Sequence, residues 1–315
     1  MSSLSLEAMK EYLSKSIASL NRNKLNGLLA EIDFRNYLSG LGFSDRVSPG
    51  GWIARSTGAD EFGRHTAVLF PEPVQPDRDY PPGRNLSPPP LGLHTVCATF
   101  HQLGIASYFC TPVIERRDDD GSISWYFIQL GLPSTQSYRE FPSDLPGFSE
   151  RQRKYNFLRY RTDTSVIPQS AIPEEFAKEH LRVTFQNRFM SEVSDIDGIF
   201  WGQQYTYPVE IKEKTAGREN DMGEYFGLDA GPFVKLAFYA AKRGNLHSLF
   251  VVREITDAES RALAGWWFIK FDQLAQYASW VPRRGGRNMM GGVSSVIRIP
   301  KAQFQELNAE NLDIL

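Results

Sequence analysis

Cysteine is scarce in this chain, with two residues among 315. Two cysteines cannot build a disulfide framework, so a reducing compartment is predicted. No apolar stretch reaches the ~20 residues that span a bilayer. The N-terminus also lacks the continuous apolar core of a signal peptide. We therefore expect a cytoplasmic protein with no membrane partner.

An excess of charge and the common cofactor motifs are missing as well. The chain has 35 Lys and Arg against 37 Asp and Glu, a formal net charge of −2. The whole molecule is therefore not a general polyanion binder, and DNA binding would need positive charge concentrated on one surface. The sequence has no phosphate-binding loop, no dinucleotide glycine fingerprint and no nucleophile elbow. These absences disfavour an ATP-driven or nicotinamide-dependent enzyme.

The most informative motif is Glu210-Ile211-Lys212, preceded by Asp197. Alternate side chains of a strand share a face, so Glu210 and Lys212 should project together while Ile211 enters an apolar layer. The residues at 202–204 suit a turn, which predicts an antiparallel hairpin. Such a hairpin would bring Asp197 close to Glu210.

The first strand of this hairpin is predicted over 194–200, with Asp195, Asp197 and Ile199 on one face. Converging carboxylates repel each other unless a cation lies between them. Mg²⁺ takes hard oxygen ligands and keeps several waters, and Mn²⁺ can substitute for it. A bound metal activates water for phosphodiester hydrolysis, and Lys212 would add positive charge near the phosphate.

This arrangement resembles the PD-(D/E)xK nuclease superfamily, which includes type II restriction endonucleases, Holliday-junction resolvases and repair nucleases. Asp197 matches the first acid, and the Glu210-x-Lys212 motif follows after a spacer of twelve residues. Ile196 stands where the family often has proline. Asp195 is a rival first acid, but the Asp-Gly-apolar step after Ile196 looks more like the family. The resemblance implies that Asp197 and Glu210 bind metal and that Lys212 is catalytic.

A helix is predicted over 25–41 from apolar residues at helical spacing, ending near Gly40 or Gly42. Glu31 interrupts its apolar pattern. The superfamily usually carries a glutamate on its first core helix, so the resemblance implies that Glu31 orients a water or ligand at the metal site. The alternative is a surface ion pair between Glu31 and Arg35, contributing roughly 0.3–0.5 kcal/mol.

The elements after Lys212 also resemble the superfamily, whose core sheet is built in the order hairpin, helix, strand, strand. The segment 299–304 resembles the late apolar strand, Pro, Lys, x, x, Phe element of restriction enzymes. Lys235, on the helix of this order, is left without a role. We predict a loop at 217–231, a helix at 233–242, strands at 246–255, 266–271 and 293–299, and a helix around Phe304.

A long segment, 44–181, separates the first helix from the hairpin. Eight of the 19 prolines lie in 71–90, which is therefore predicted to be extended and non-helical. The resemblance implies a β-rich insertion that supplies base recognition and dimer contacts. Strands are predicted at 95–100, 105–114 and 123–132, with a turn at 118–121.

Two basic clusters are candidates for DNA contact. The first interleaves its cations with Tyr155, Phe157 and Tyr160, which could pack on sugars or bases; the alternative is a solvated helix covering a core edge. The second contains glycines and is predicted to be a loop that enters a DNA groove, where arginine could contact guanine. The cations are Arg151, Arg153, Lys154, Arg159 and Arg161 in the first cluster, and Arg283, Arg284 and Arg287 in the second.

One alternative metal site involves His94, Cys97, His101 and Cys110, which lie close together in the sequence. Their spacing is not a standard zinc pattern, and most of them fall in predicted strands. Buried cysteines and ordinary histidines are favoured over structural zinc.

These features predict an α/β protein with a restriction-endonuclease-like core, a central mixed β-sheet flanked by helices, and a β-rich insertion. The nuclease core is assigned to 1–60 and 181–315, and the Pro-rich linker with the insertion to 61–180. The resemblance implies a Mg²⁺-dependent, sequence-specific type II restriction endonuclease that cuts double-stranded DNA as a homodimer. The alternatives are a repair or recombination nuclease of this superfamily, a non-catalytic DNA-binding protein of the same fold, and a structural protein with a fortuitous Glu-x-Lys.

Overall fold

The computed structural model divides into two compact α/β units, each containing a mixed sheet flanked by helices. Unit 1 comprises Met1–Arg22 and Gly50–Ile196, and unit 2 comprises Asn23–Pro49 and Asp197–Leu315. The described residues are 2–18, 24–48, 50–56, 66–86, 88–102, 104–130, 137–140, 145–150, 154–157, 159–189, 191–241, 244–287 and 293–315. Within them, no helix is long and apolar enough to cross a membrane.

The elements are numbered in chain order. The helices are α1 (Leu6–Ala18), α2 (Lys24–Gly40), α3 (Leu91–Gln102), α4 (Ile172–Arg188), α5 (Ala230–Ala240), α6 (Phe271–Tyr277) and α7 (Ala309–Asp313). The strands are β1 (Val47–Ser48), β2 (Gly51–Ser56), β3 (Thr66–Pro71), β4 (Ala106–Ile114), β5 (Ile123–Leu130), β6 (Arg139–Glu140), β7 (Ser191–Ile196), β8 (Gly198–Trp201), β9 (Thr206–Lys214), β10 (Gly217–Glu219), β11 (Gly223–Asp229), β12 (Leu249–Ile255), β13 (Leu263–Lys270), β14 (Arg283–Arg287), β15 (Val293–Pro300) and β16 (Gln305–Glu306).

Unit 1 is built on a six-stranded sheet of order β6-β5-β4-β3-β2-β7, in which β3 and β4 run parallel and the other neighbours antiparallel. Strand β2 pairs with both β3 and β7. Residues 51–56 and 191–196 therefore share a sheet with the predicted insertion. The predicted boundaries lay after residues 60 and 180, whereas the observed units are divided after residues 22, 49 and 196. The role of each part stays a prediction.

The predictions for the middle of unit 1 are partly confirmed. Strands β4 and β5 and the turn between them lie where they were expected, and no described residue of 71–90 is helical. The strand predicted at 95–100 is wrong, because this segment belongs to α3. Leu93, Cys97 and Phe100 are buried at spacings of four and three, which form one face of a helix. A short apolar run does not distinguish these two periods.

The central helix of unit 1, α4, buries five ionisable side chains in addition to its apolar ones. Glu179 accepts hydrogen bonds from Ser16 Oγ at 2.7 Å and from Arg182 Nη2 at 3.0 Å. Such burial is tolerated because each charge has a partner. The buried ionisable residues are Glu175, Lys178, Glu179, His180 and Arg182.

Unit 2 contains two sheets, of order β1-β8-β9-β12-β13-β16 and β10-β11-β15-β14. Strands β9 and β12 run parallel, and each face of the first sheet has its own apolar core. One core includes Phe34 of α2 with Val209 and Ile211 of β9. The other includes Leu236 of α5 with Phe250 of β12, together with residues of the second sheet. Strand β9 therefore lies in the middle of the unit, between α2 and α5.

Several predicted elements of unit 2 are confirmed, namely the first helix as α2, the second as α5 within its described residues, and the three apolar strands as β12, β13 and β15. The loop predicted at 217–231 is wrong, because β10 and β11 occupy most of it. The glycines of this segment led to the loop prediction, although Phe226 and Leu228 are buried at the two-residue spacing of a strand. Gly227 is required there, since a Cβ would lie 2.7 Å from Val296 of the paired strand.

Three further predictions in unit 2 are corrected. The segment 194–200 is not one strand, because β7 pairs with β2 while β8 pairs with β9, and Asp197 lies between them. Phe304 follows a 3₁₀ turn at Lys301–Gln303, and the last helix is α7. The Arg283–Arg287 segment is strand β14 rather than a loop, because its backbone pairs with β15.

We predict that unit 1 loses stability as pH falls from 6.5 towards 4. Burial lowers the pKa of His180 from 6.5 to about 4, and the neutral ring accepts from Trp125 Nε1 and contacts Asp120 O through Nε2, both at 3.0 Å. The unfolded chain binds the proton more readily, so the stabilisation is complete above pH 6.5 and decreases by about 3 kcal/mol down to pH 4.

Urea unfolding at several pH values checks this prediction. The His180→Gln variant should lose most of that pH dependence. His101→Gln is the matched control, because His101 is exposed on α3 and should leave the dependence unchanged. Equal pH dependence in wild type and His180→Gln would contradict the assignment.

Candidate active site

The candidate site lies in unit 2 around the hairpin of β8 and β9. The register pairs Gly198 with Val209, so Asp197 enters the hairpin opposite Glu210. The backbone N–H of Ile211 donates a hydrogen bond of 2.7 Å to Asp197 Oδ2. Strand β8 does not extend far enough to pair with Ile211, so the Asp197 side chain accepts the hydrogen bond that a neighbouring strand would otherwise accept. This bond fixes the carboxylate beside β9. The predicted hairpin is confirmed.

Glu210 and Lys212 project from the same face of β9, as predicted. Lys212 Nζ lies 2.5 Å from Glu210 Oε1. The Glu210 side chain is 2% exposed and that of Lys212 is 32% exposed. Val209 and Ile211 enter the opposite core with α2. The motif therefore holds a buried carboxylate behind an ammonium group that solvent and substrate can reach.

Lys235 of α5 is a site residue to which the sequence did not assign a role. Its Nζ forms a close ion pair with Glu210 Oε2, and its side chain is 15% exposed. Helix α5 packs on β9 from the side of Glu210. Tyr239, four residues later on the same helical face, is buried. The sequence could have indicated Lys235 through its spacing of four from Tyr239, which puts the lysine on the buried face of the helix.

Glu31 of α2 and Asp197 approach each other. Both are buried, and a carboxylate oxygen of each lies within 4.8 Å of the other. The surface version of the Glu31–Arg35 pair is wrong, because Glu31 is only 5% exposed. Asp195 lies two residues before Asp197, in β7 of unit 1, where it is opposite Trp52.

The charges of unit 2 make this group suitable for a divalent cation. Glu31, Asp197 and Glu210 are buried carboxylates, and Lys212 and Lys235 are the lysines that pair with Glu210. Burial of several like charges is unfavourable without a counter-charge. Mg²⁺ binds carboxylate oxygens at about 2.0–2.1 Å, so one ion can contact two oxygens about 4 Å apart. Glu31 and Asp197 fit a hard divalent ion, whereas Glu210 belongs to no metal-sized group of three in the described part of the chain.

A third lysine extends the same face of β9. Burial lowers the pKa of Lys214, Asp229 opposes this effect, and Lys212 lowers the pKa further. Alternation along the strand places Glu210, Lys212 and Lys214 on one side. Positive charge therefore continues along the strand beyond the Glu-x-Lys motif.

The first basic cluster belongs to unit 1, and Arg151 and Arg153 lie outside the described residues. Lys154, Arg159 and Arg161 are exposed. The helix proposed as the alternative is wrong, because no described residue from 154 to 161 is helical. Among the aromatics, Tyr155 contacts the guanidinium of Arg182 in the helix α4, Phe157 contacts Tyr12, and Tyr160 is 78% exposed.

The second cluster lies on the edge strand β14 of unit 2. Arg283 and Arg284 are exposed, and Arg287 pairs through its backbone with Val293. They lie on an edge strand of the unit that carries the candidate site, and their contact with DNA stays a prediction.

The alternative zinc site is not assembled in the structure. His94, Cys97 and His101 belong to α3 rather than to a strand, and Cys110 lies in β4. Both cysteines are buried free thiols. Burial raises the pKa of Cys97 to about 12 and also raises that of Cys110. No metal-sized group of three His, Cys, Asp or Glu in the described part of the chain contains any of these four residues.

No protein-family model, curated protein or solved structure matches the chain. The α/β architecture with mixed sheets flanked by helices is established by the structure itself. The similarity to PD-(D/E)xK nucleases stays an interpretation of the motif and of the residues that surround it.

We predict that Lys235→Met lowers the free energy of unfolding by about 3 kcal/mol. The substitution leaves Glu210 buried with half of its counter-charge, and removing one partner of a buried pair is strongly destabilising. Adding Glu210→Gln should recover part of this loss, because the unpaired charge is removed. Urea unfolding of the single and double variants measures the coupling.

Lys10→Met is the matched control for this prediction. Lys10 pairs with Glu7, whose side chain is 81% exposed, at 2.9 Å. An exposed pair contributes less than about 1 kcal/mol. A loss in Lys235→Met no larger than in this control would show that the contact with Glu210 contributes little.

Proposed function

We propose that unit 2 carries the active site of a Mg²⁺-dependent DNA endonuclease of the PD-(D/E)xK type. The observation that supports this function best is the hairpin register, which puts Asp197 opposite Glu210 with Lys212 on the same face. The bond from the backbone of Ile211 to Asp197 reinforces that arrangement. Two acids and a lysine at one point of a sheet suit phosphodiester hydrolysis.

Asp197 and Glu210 would hold the metal ion, and Glu31 would orient a water or a ligand beside it. When bound, Mg²⁺, or Mn²⁺ in its place, would lower the pKa of a coordinated water and polarise a phosphoryl oxygen. The approach of Asp197 and Glu31 supports this role, because a carboxylate oxygen of each lies within 4.8 Å of the other, near the spacing of two oxygens on one ion.

The two lysines have different roles in this proposal. Lys212 is the more exposed of the two, so it would meet the scissile phosphate and stabilise the charge that develops there. Lys235 would hold Glu210 in position from the buried side. The N–H of Ile211 keeps the Asp197 carboxylate oriented. Water activation and charge stabilisation therefore involve different side chains.

The finer proposal is a type II restriction enzyme that cuts both strands of double-stranded DNA at a specific sequence. Two active sites related by a two-fold axis suit a palindromic target, so a homodimer is proposed. The presence of a second α/β unit in the chain supports a separate recognition function for unit 1. Repair or recombination nucleases of the same type are the enzymatic alternative, and a non-catalytic DNA-binding protein is the alternative outside catalysis.

We expect purified protein to cut plasmid and phage DNA with Mg²⁺ and not with EDTA. Discrete fragments would indicate sequence-specific cleavage, and a smear would indicate a nonspecific or structure-directed nuclease. Lys212→Ala should abolish cleavage while DNA binding survives, because it removes the charge proposed to meet the phosphate, whereas Glu210 keeps its ion pair with Lys235. Gel electrophoresis and a binding assay on the same preparations measure both properties.

Lys270→Ala is the control for cleavage, because Lys270 is half-buried and lies at the end of β13 in the same sheet. It should cut DNA like the wild type. Wild-type-like cleavage by Lys212→Ala would rule out the proposed site, and DNA binding without cleavage by the wild type would favour the non-catalytic alternative.

We also expect Mg²⁺ to raise the melting temperature of the wild type and not that of Asp197→Asn. A ligand that binds only the folded state stabilises it by about 2.7 kcal/mol at a hundred times its Kd. Thermal melting against Mg²⁺ concentration measures the effect. Asp33→Asn is the matched control, since Asp33 lies on α2 near Glu31 but its side chain is 45% exposed and pairs with Arg253. Equal Mg²⁺ shifts in wild type and Asp197→Asn would exclude Asp197 as a ligand.

A further inference from the structure

Trp280 is the feature of unit 2 that neither the fold nor the proposed chemistry uses. It is 74% exposed, whereas the other five tryptophans are buried or half-buried. Val281 and Tyr277 beside it are 62% and 41% exposed. A large aromatic ring held in solvent loses the free energy that burial would provide. Together the three exposed apolar side chains form a surface patch, which points to a binding partner.

The backbone at Trp280 is held in place by neighbouring elements. The N–H of Ser279 donates to Arg298 O of β15 at 2.8 Å, and Ser279 Oγ donates to Val281 O at 3.3 Å. The ring of Phe233 meets the indole edge to face, with centroids 6.4 Å apart. The indole is therefore presented by a hydrogen-bonded segment and braced by α5.

Positive charge follows directly after this aromatic residue. Arg283 and Arg284 are exposed on β14, the edge strand of its sheet, and alternation points them to opposite faces. Neither forms an ion pair with another described residue. Such unneutralised guanidinium groups suit phosphates, which they can contact through several donors.

A polar depression at Arg283 and Ser279 is lined by donors and acceptors. Arg283, Arg298 and Ser279 contribute donors, and Glu219 and Asp221 contribute carboxylates. Arg298 pairs with Glu219, so this acid is already neutralised. A phosphate alone would meet repulsion from Asp221, whereas the edge of a base offers amino donors as well as acceptors. The depression therefore suits a base whose edge is not paired.

Helix α5 joins this surface to the candidate active site. Phe233 contacts Trp280, and Lys235, two residues later, contacts Glu210. Residues two positions apart differ by about 3 Å along a helix axis and by about 200° around it. Trp280 and Glu210 therefore contact different sides of α5.

We propose that Trp280, Arg283 and Arg284 form a nucleic-acid surface on which an unpaired base stacks against Trp280 while the two arginines bind the flanking phosphates. The proposal rests on the proposed nuclease function and names its substrate class: DNA with an unstacked nucleotide, such as an overhang, a flap or a flipped base. Stacking on an exposed indole is not available to the bases inside an intact duplex.

The test is fluorescence anisotropy in EDTA, where binding is measured without cleavage. The probes are a fluorescein-labelled blunt duplex and the same duplex with a single-stranded overhang. The wild type should bind the overhang probe more tightly. Trp280→Ala should weaken overhang binding about tenfold or more and leave blunt-duplex binding nearly unchanged, whereas Trp280→Phe should retain most of the affinity. The double variant Arg283→Gln with Arg284→Gln should bind with a weaker dependence on salt. The slope of the logarithm of the binding constant against the logarithm of the salt concentration should become less negative by about 1.4.

Two controls separate this surface from general effects. Arg218→Gln removes an exposed arginine from β10, the opposite edge strand of the same sheet, and should leave the salt dependence unchanged. Tyr205→Ala removes an exposed aromatic between β8 and β9 and should leave overhang binding unchanged. Equal weakening in the Trp280 and Tyr205 variants would overturn the assignment.

The outcomes distinguish this inference from the proposed function. If the wild type cuts DNA but Trp280→Ala and wild type bind the overhang equally, the surface is wrong and the nuclease stands. If Trp280→Ala loses overhang binding but the wild type cuts no DNA, the surface stands and the nuclease fails. If the wild type binds neither probe and Trp280→Ala instead abolishes self-association in sedimentation, the face is a protein contact and the inference is overturned.

Discussion

The burial of the Glu210 carboxylate is the constraint on which the candidate site depends. An ionised carboxylate without partners is very unfavourable away from water. Lys212 contacts one of its oxygens from the same strand, and Lys235 contacts the other from α5. Helix α5 must therefore lie on the Glu210 side of β9, where Leu236 also enters the apolar core. Electrostatic pairing and apolar packing thus require the same placement of this helix.

The hairpin adds a second requirement, the position of Asp197. Strand β8 begins directly after this residue, so β9 continues beyond its partner and exposes a backbone donor. Asp197 accepts that hydrogen bond at Ile211. Because the chain changes sheets at this point, Asp197 does not need to pair within either ladder. A break between two strands thereby holds a carboxylate in place.

Local pattern predicted much of unit 2. Helix α2 and strands β12 and β13 have a clear period of 3.6 or a long β-branched and aromatic run, and each lies where it was expected. The failures occurred where local pattern was ambiguous or interrupted. Helix α3 is short and apolar, so its period resembles that of a strand. Strand β11 contains Gly227, which packs against Val296, a requirement that arises only from the neighbouring strand.

The sequence by itself determined that Glu210 and Lys212 share a face, because the two-residue period of a strand is a property of the backbone. It also determined the turn that brings Asp197 towards Glu210, since the residues that form a turn act locally. Only the tertiary structure decided that Lys235 joins them and that Glu31 is buried beside Asp197. Those two residues lie on helices distant in sequence, and the packing of each helix on its face of β9 is what selects the side chains that reach the site.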